Sequence, residues 1–315
     1  MTEDPAHHPV LVDEVIKALD VRPDGHYVDA TFGRGGHTAA ILEHLGAAGR
    51  IMAIDRDPEA IEAGRKRFAG DARVTLIKGR FSMLKRHLEA GGMTAVNAIL
   101  MDLGVSSPQL DTPTRGFSFM RRGPLDMRMD PESGAPLSLW LASASQRDIQ
   151  DVLEAFGEER FARRIAGAIV AERKQHAIED TETLARVVQQ AVPSREAGKH
   201  PATRTFQALR MHINQEVHEL TQALAEAVDV LKPGGRLAVI SFHSIEDRIV
   251  KRFIRAAEGR DPQLPRLANL PIRAARAPRL ARLGRPVRPS ERECRENVRA
   301  RSAVLRVAVR VGTDA

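Results

Sequence analysis

Several short stretches of this 315-residue chain carry residue types that chemistry uses, each placed just after an apolar run. The first is the turn Gly33-Arg34-Gly35-Gly36-His37-Thr38, which follows His26-Tyr27-Val28-Asp29-Ala30-Thr31 and opens a helical pattern. Glycines there let the backbone come close to a ligand, and a helix start offers free N–H groups. No Lys-Ser/Thr follows, so a phosphate-binding P-loop is excluded, and Thr38 stands where the dinucleotide fingerprint wants Gly or Ala. The second is Asp55, which closes Arg50-Ile51-Met52-Ala53-Ile54, 22 residues beyond Gly33. An acid at that point accepts hydrogen bonds from a ribose diol. NAD and S-adenosylmethionine both offer one, and the missing third glycine disfavours a pyrophosphate.

Two more candidates follow the next apolar runs. Phe81 comes after Val74–Ile77 and can cover a flat adenine, although a core aromatic is an equal reading. Asp102 closes Val96–Met101 and opens Asp102-Leu103-Gly104-Val105-Ser106-Ser107-Pro108-Gln109. A carboxylate there can bind an ammonium or accept a proton from an amine. Further on, Ser241-Phe242-His243-Ser244-Ile245-Glu246-Asp247-Arg248 is dense in functional groups. His243 reads either as part of a site or as a satisfied core imidazole.

These residues need a scaffold that brings strand ends together. Short apolar strands alternate with helical patterns through the first third, which predicts a parallel sheet covered on both faces. Helices are expected from Thr38 to about Leu45 and over 58–68. The alternation breaks at about Pro108. Residues 108–136 read as loop, and 145–192 as helix without a strand. Residues 204–231 read as helix again, the turn Lys232-Pro233-Gly234-Gly235 follows, and strand 236–242 resumes the sheet. Helix 246–257 and a last strand over 302–311 complete it. The expected domains are 1–108 plus 204–315, holding the strand-end site, and 109–203, a helical insertion.

Composition narrows the class. Hydrophobic residues make up 43%, enough for a core and too many for a disordered chain. One cysteine, Cys294, excludes an intrachain disulfide and a Cys-x-x-Cys metal or redox site. No apolar run approaches the length of a membrane span, and Met1–Pro5 lacks the features of a secretory signal, so a cytoplasmic protein is expected. The net charge of +7 is unevenly spread. Between Arg248 and Arg310 stand 18 Lys+Arg against 5 Asp+Glu, a balance of +13 that leaves −6 for the rest. Such a patch suits a polyanion such as nucleic acid. Arg273, Arg276, Arg279, Arg282, Arg285 and Arg288 recur there among prolines, which predicts an extended or loop-like segment over 258–300. Aromatics at 4% are too few for repeated base-stacking platforms.

The motifs together resemble one family. Thr31–His37, Asp55-Arg56-Asp57-Pro58, Asp102–Asp111, Arg115-Gly116-Phe117-Ser118-Phe119, Gly123–Asp130, His200–Gln207 and Ser241–Arg248 match, in order, the ribosomal small-subunit RNA cytosine-N4 methyltransferases (RsmH, also called MraW). The resemblance spans about His8 to Val311. It implies a Rossmann-like class I methyltransferase sheet with an inserted helical domain. It also implies S-adenosylmethionine as methyl donor, and N4-methylation of one cytidine in the decoding region (P site) of 16S rRNA. The implied partner is the small ribosomal subunit, with no membrane, and room is left for a homodimer. Carried over residue by residue, the cofactor contacts fall on Gly35, Gly36, His37, Asp55, Phe81, Asp102 and Gln109. The Pro-Pro-aromatic signature of many amine methyltransferases is missing after Asp102, so their catalytic scheme is not carried over.

The cytosine amine is a poor nucleophile because its lone pair is delocalised into the ring. A catalyst must hold it in line with the methyl–sulfonium bond and accept its hydrogen bonds. Asp102 is the first candidate for that task, with His243 and Ser106 next. The sulfonium is already activated, so no metal is expected. The rivals are a DNA or small-molecule methyltransferase, a silent RNA-binding assembly factor and, more distantly, a nicotinamide oxidoreductase.

Overall fold

The protein is described from a computed structural model covering residues 9–193, 200–259 and 278–312. Arg273 and Arg276 lie outside the described residues. The chain divides into two units, one running to Gly104 and resuming at His218, the other spanning Val105–Val217.

In the first unit, α1 (Val12–Leu19) is followed by β1 (His26–Asp29), α2 (Gly36–Leu42), β2 (Arg50–Asp55), α3 (Pro58–Arg67), β3 (Val74–Lys78), α4 (Leu84–Ala90) and β4 (Val96–Asp102). The sequence reading omitted α1 and α4. Val15, Leu19, Leu84 and Leu88 are all buried, but the helices are only eight and seven residues long, about two turns each. Helix α3 starts as its residues dictate. Asp57 accepts a hydrogen bond from the Glu59 N–H at 3.0 Å, Pro58 occupies the first turn, and Arg65, Lys66 and Arg67 end it.

The second unit begins with α5 (Ser107–Asp111) and α6 (Leu137–Ser143). The expected helix over 145–192 is three helices, α7 (Gln146–Gly157), α8 (Ala162–Arg173) and α9 (Thr181–Ala191). Ser145 and Asp148 form a capping box on α7, and Asp180 caps α9. Helix α10 (Thr203–Ile213) belongs to this unit too. Its Phe206, Ala208 and Leu209 are buried in the same apolar cluster as Ile149, Leu153, Ile165 and Leu184. The boundary between the units therefore falls at Val217/His218 rather than before residue 204. Inside the unit, the buried Asn214 donates to the Met127 carbonyl at 2.7 Å and accepts from the Met129 N–H at 2.8 Å.

The chain then forms α11 (Glu216–Val230), β5 (Leu231–Ser241), α12 (Ser244–Ala257), β6 (Leu280–Arg282), α13 (Glu291–Glu296) and β7 (Val304–Arg310). The expected helix over 204–231 is split at Gln215, whose φ of +54° is left-handed. The glycine turn lies inside β5. Val96 pairs with Leu231 and Ala98 with Arg236, so β4 skips across the residues of the turn. Gly234, at φ +76°, makes that loop-out possible.

The sheet order is β3-β2-β1-β4-β5-β7-β6. The first five strands are parallel, but β7 runs antiparallel to β5, and β6 antiparallel to β7. The sheet is thus mixed rather than wholly parallel, because α12 is followed by two strands that pair as neighbours. The described part of segment 258–300 includes the extended strand β6, and departs from the expected extended or loop-like form in the helix α13. Both faces of the central strands are covered. Tyr27, Ile51, Leu100 and Ile240 face one way, with α1 and α2 residues. Val28, Met52, Ile99 and Val239 face the other, with α11 and α12 residues.

Candidate active site

Strand order reverses between β1 and β4, the place where an open α/β sheet leaves a crevice beyond its carboxyl ends. Three adjacent strands end there in aspartates: Asp29 on β1, Asp55 on β2 and Asp102 on β4.

Asp29 is a structural anchor that the sequence reading left unassigned. It is buried and accepts from the Thr38 hydroxyl at 2.7 Å and the Thr31 N–H at 3.2 Å. Burial pushes its carboxyl above the usual range, against the pull of His37. The signal that could have found it is the one that marked Asp55 and Asp102, an acid closing an apolar strand. Thr31 in turn accepts from the Asp102 N–H at 2.6 Å, joining the ends of β1 and β4.

The glycine turn wraps around Phe32. Gly35 has φ +72°, and a Cβ there would lie 2.5 Å from the Phe32 ring. At Gly36 it would lie 2.8 Å from Pro9. The turn is tied to the next strand through Asp55, which accepts from the Gly33 N–H and from the Asp57 N–H, both at 2.8 Å. An ionised carboxylate offers about four lone-pair sites. Two are used, and the half-buried Asp55 keeps the others for a ligand. Burial pushes its carboxyl up to about 6, against the two N–H donors.

His37 is buried beneath this turn, its Nε2 3.5 Å from Asp102 Oδ2. Among the described residues neither ring nitrogen has an aligned hydrogen-bond partner, nor has Asp102 Oδ1. Burial opposes protonation of His37, but Asp102 and Asp29 outweigh it and raise its pKa above the ordinary imidazole value. Phe81 opens a 3₁₀ turn after β3 and is half-buried against the core. The preceding Arg80 donates to Glu219 on α11 at 2.8 Å, an ion pair that sequence spacing could not reveal.

His243 immediately precedes α12. Its Nε2 lies 2.9 Å from Glu246 Oε1, although without hydrogen-bond alignment, and Glu246 Oε2 accepts from the Phe242 N–H at 2.9 Å. Two bonds of 2.7 and 3.0 Å from Arg306 on β7 hold Asp247 beside them. Ser106 and Gln109 fall in the second unit. There they form the capping box of α5, with Gln109 Oε1 accepting from the Ser106 N–H at 3.0 Å. The structure thus gathers Gly35, Gly36, His37, Asp55, Phe81, Asp102 and His243 on the first unit, and gives Ser106 and Gln109 a local role on the other.

The crevice residues suit a nucleoside carrying a cation. Asp55 retains acceptor capacity, Asp102 Oδ1 is buried with no partner among the described residues, and the glycines leave room that a Cβ would fill. The profile of the MraW methylase family matches residues 4–311. The chain belongs to that family. As an MraW methylase it is a methyltransferase dependent on S-adenosylmethionine, the cofactor expected from the motifs. It is 53% identical over 311 residues to the "Ribosomal RNA small subunit methyltransferase H" of Thioalkalivibrio sulfidiphilus, covering 98% of each chain. The protein of the same name from Thiobacillus denitrificans is 53% identical over 308 residues, again covering 98% of each. Among solved structures, an rRNA methylase from Streptococcus thermophilus aligns at 13% identity and a TM-score of 0.41, over 99% of both chains. No helix among the described residues of this MraW methylase is long and apolar enough to cross a membrane.

Proposed function

We propose that this chain methylates the exocyclic N4 amine of one cytidine in the decoding region of 16S rRNA, within the small ribosomal subunit. The observation that carries the reading is Asp102 Oδ1, a buried carboxylate oxygen that has no partner among the described residues at the β1/β4 switch point. The curated relatives act on small-subunit ribosomal RNA by their names.

S-adenosylmethionine supplies an electrophilic methyl group. Asp55 holds the ribose hydroxyls with the lone pairs left by Gly33 and Asp57. Phe81 covers the adenine, and Gly35 and Gly36 let the backbone approach. By the family resemblance, Gln109 is a further cofactor residue. Asp102 accepts hydrogen bonds from the cytosine amine, which favours a pyramidal nitrogen with a localised lone pair, and Oδ1 takes the proton that methylation releases. A positioned acceptor of this kind contributes typically 10²–10⁴-fold, and alignment of the two reacting atoms adds to it. His37, fixed 3.5 Å away, keeps Asp102 oriented. His243 is the secondary group at the amine. The target base must leave its stack to reach these groups, and we assign the helical unit, Val105–Val217, to recognising it.

Mass spectrometry of rRNA nucleosides from cells with and without the gene tests this reading. Loss of N4-methylated cytidine from the small subunit, restored by the wild-type chain, is the expected result. An unchanged nucleoside profile would overturn it.

A further inference from the structure

An open groove runs along the far edge of the first unit's sheet, between α12, β6, the segment after β6, and β7. Lys251 and Arg255 border it one helical turn apart on α12, Arg282 stands on β6, and Arg285 follows in the loop. All four are exposed, and none has a side-chain hydrogen bond or ion pair among the described residues. Arg306 also lines the groove, but Asp247 neutralises it with two bonds. Among the described residues Glu258 is the single carboxylate in the lining, and it accepts from the Arg282 N–H at 2.8 Å. Leu283 adds an apolar face that is 41% exposed.

Guarding a sheet edge with charge explains Arg282. It does not explain two more unpaired cations on a helix that faces the same groove. Folding gains little from gathering four like charges around one carboxylate, since they repel one another. A polyanion reverses that repulsion, and the apolar Leu283 beside the cations suits a sugar–phosphate chain better than a free inorganic ion.

We propose that this groove binds the phosphate backbone of the RNA substrate, through Lys251, Arg255, Arg282 and Arg285. The proposal rests on the functional reading above and adds a place on the molecule to it. Phosphate contacts fix register and orientation without reading sequence. The groove therefore sets how the subunit is held, while the crevice decides which base reacts.

The test measures binding of purified small ribosomal subunits at several salt concentrations. It compares wild type with Lys251→Gln/Arg255→Gln, with Arg282→Gln/Arg285→Gln, and with all four changes together. Each phosphate contact contributes about 0.7–0.9 to the slope of log affinity against log salt. Each pair should lower the slope by about 1.5 and the quadruple variant by about 3. S-adenosylmethionine affinity and thermal midpoint should stay at wild-type values, and Arg282→Lys/Arg285→Lys should keep the wild-type slope. Wild-type binding with equal slopes in all folded variants would overturn the groove alone. A wild-type chain that neither binds nor methylates small subunits would overturn the functional reading, and the groove with it. Should the quadruple variant unfold, the two pairs decide the matter separately.

Discussion

His37 Nε2 stands 3.5 Å from Asp102 Oδ2, the imidazole buried and the carboxylate at the end of β4. The distance is longer than a hydrogen bond, yet the opposite charges are close enough for Asp102 to favour a protonated His37. Asp102 thus faces a cation-prone imidazole through Oδ2, while its buried Oδ1 has no partner among the described residues.

That asymmetry makes Asp102→Asn informative, since it keeps shape and removes charge. Turnover should fall by about 10²–10⁴-fold, with S-adenosylmethionine affinity and thermal midpoint retained. If affinity falls in parallel in a calorimetric titration, Asp102 binds the ammonium of the cofactor instead. Full activity would eliminate both roles.

Asp55 sets a pH dependence. Its carboxyl is pushed up to about 6 by the desolvation of a half-buried position, against the N–H groups of Asp57 and Gly33. Above that pH it is charged and accepts the ribose hydroxyls, and below it the proton removes acceptor capacity. The Kd for S-adenosylmethionine should be flat above about pH 7 and rise roughly tenfold per pH unit below 6, the behaviour of one obligatory ionisation. Stability runs the other way. The folded chain holds this proton more tightly than the unfolded chain, so ionising Asp55 costs stability as pH rises from 3.8 to 6. Asp55→Ala should weaken binding by about 1.5–3 kcal/mol and flatten the pH profile. An unchanged Kd in a folded variant refutes the assignment.

Gly35 tests the turn. At φ +72° an alanine pays the left-handed penalty, and its Cβ would press on Phe32 at 2.5 Å. Gly35→Ala should lower stability by about 1–3 kcal/mol and weaken cofactor binding, both readable from a ligand-dependent thermal shift. Neither effect is expected from Gly70→Ala in stability beyond the left-handed penalty itself, because nothing lies within 4 Å of a Cβ there. Equal behaviour of the two variants would show that crowding at Phe32 is unimportant.

The strand ends of the first unit were legible because a buried strand is a run of apolar residues, and an acid that breaks the run marks its exit. That logic located Asp55 and Asp102, and applied evenly it would have located Asp29. It does not reach β6, three residues long, whose strand character comes only from pairing with β7. Nor does it reach the Arg80–Glu219 pair, 139 residues apart in sequence, because ion pairs between distant segments leave no period. Gln109 and Ser106 carried a motif, but the motif also specifies a capping box. Spacing alone does not separate the two uses.

His243 is where local structure and chemistry compete most directly. Glu246, 4% exposed, has one oxygen on the Phe242 N–H and the other 2.9 Å from His243 Nε2. Removing the imidazole leaves that buried carboxylate with less compensation, which costs about 1–3 kcal/mol. His243→Ala should therefore lower the thermal midpoint. His243→Gln can still donate toward Glu246, so it should recover much of the stability while losing the ring. If His243 serves the amine, His243→Gln will show reduced kcat with unchanged S-adenosylmethionine affinity, and Glu246→Gln will share the defect because the ring loses the charge that orients it. Wild-type kcat in a stable His243→Gln would assign the imidazole to holding the start of α12 and leave Asp102 as the acceptor at the amine.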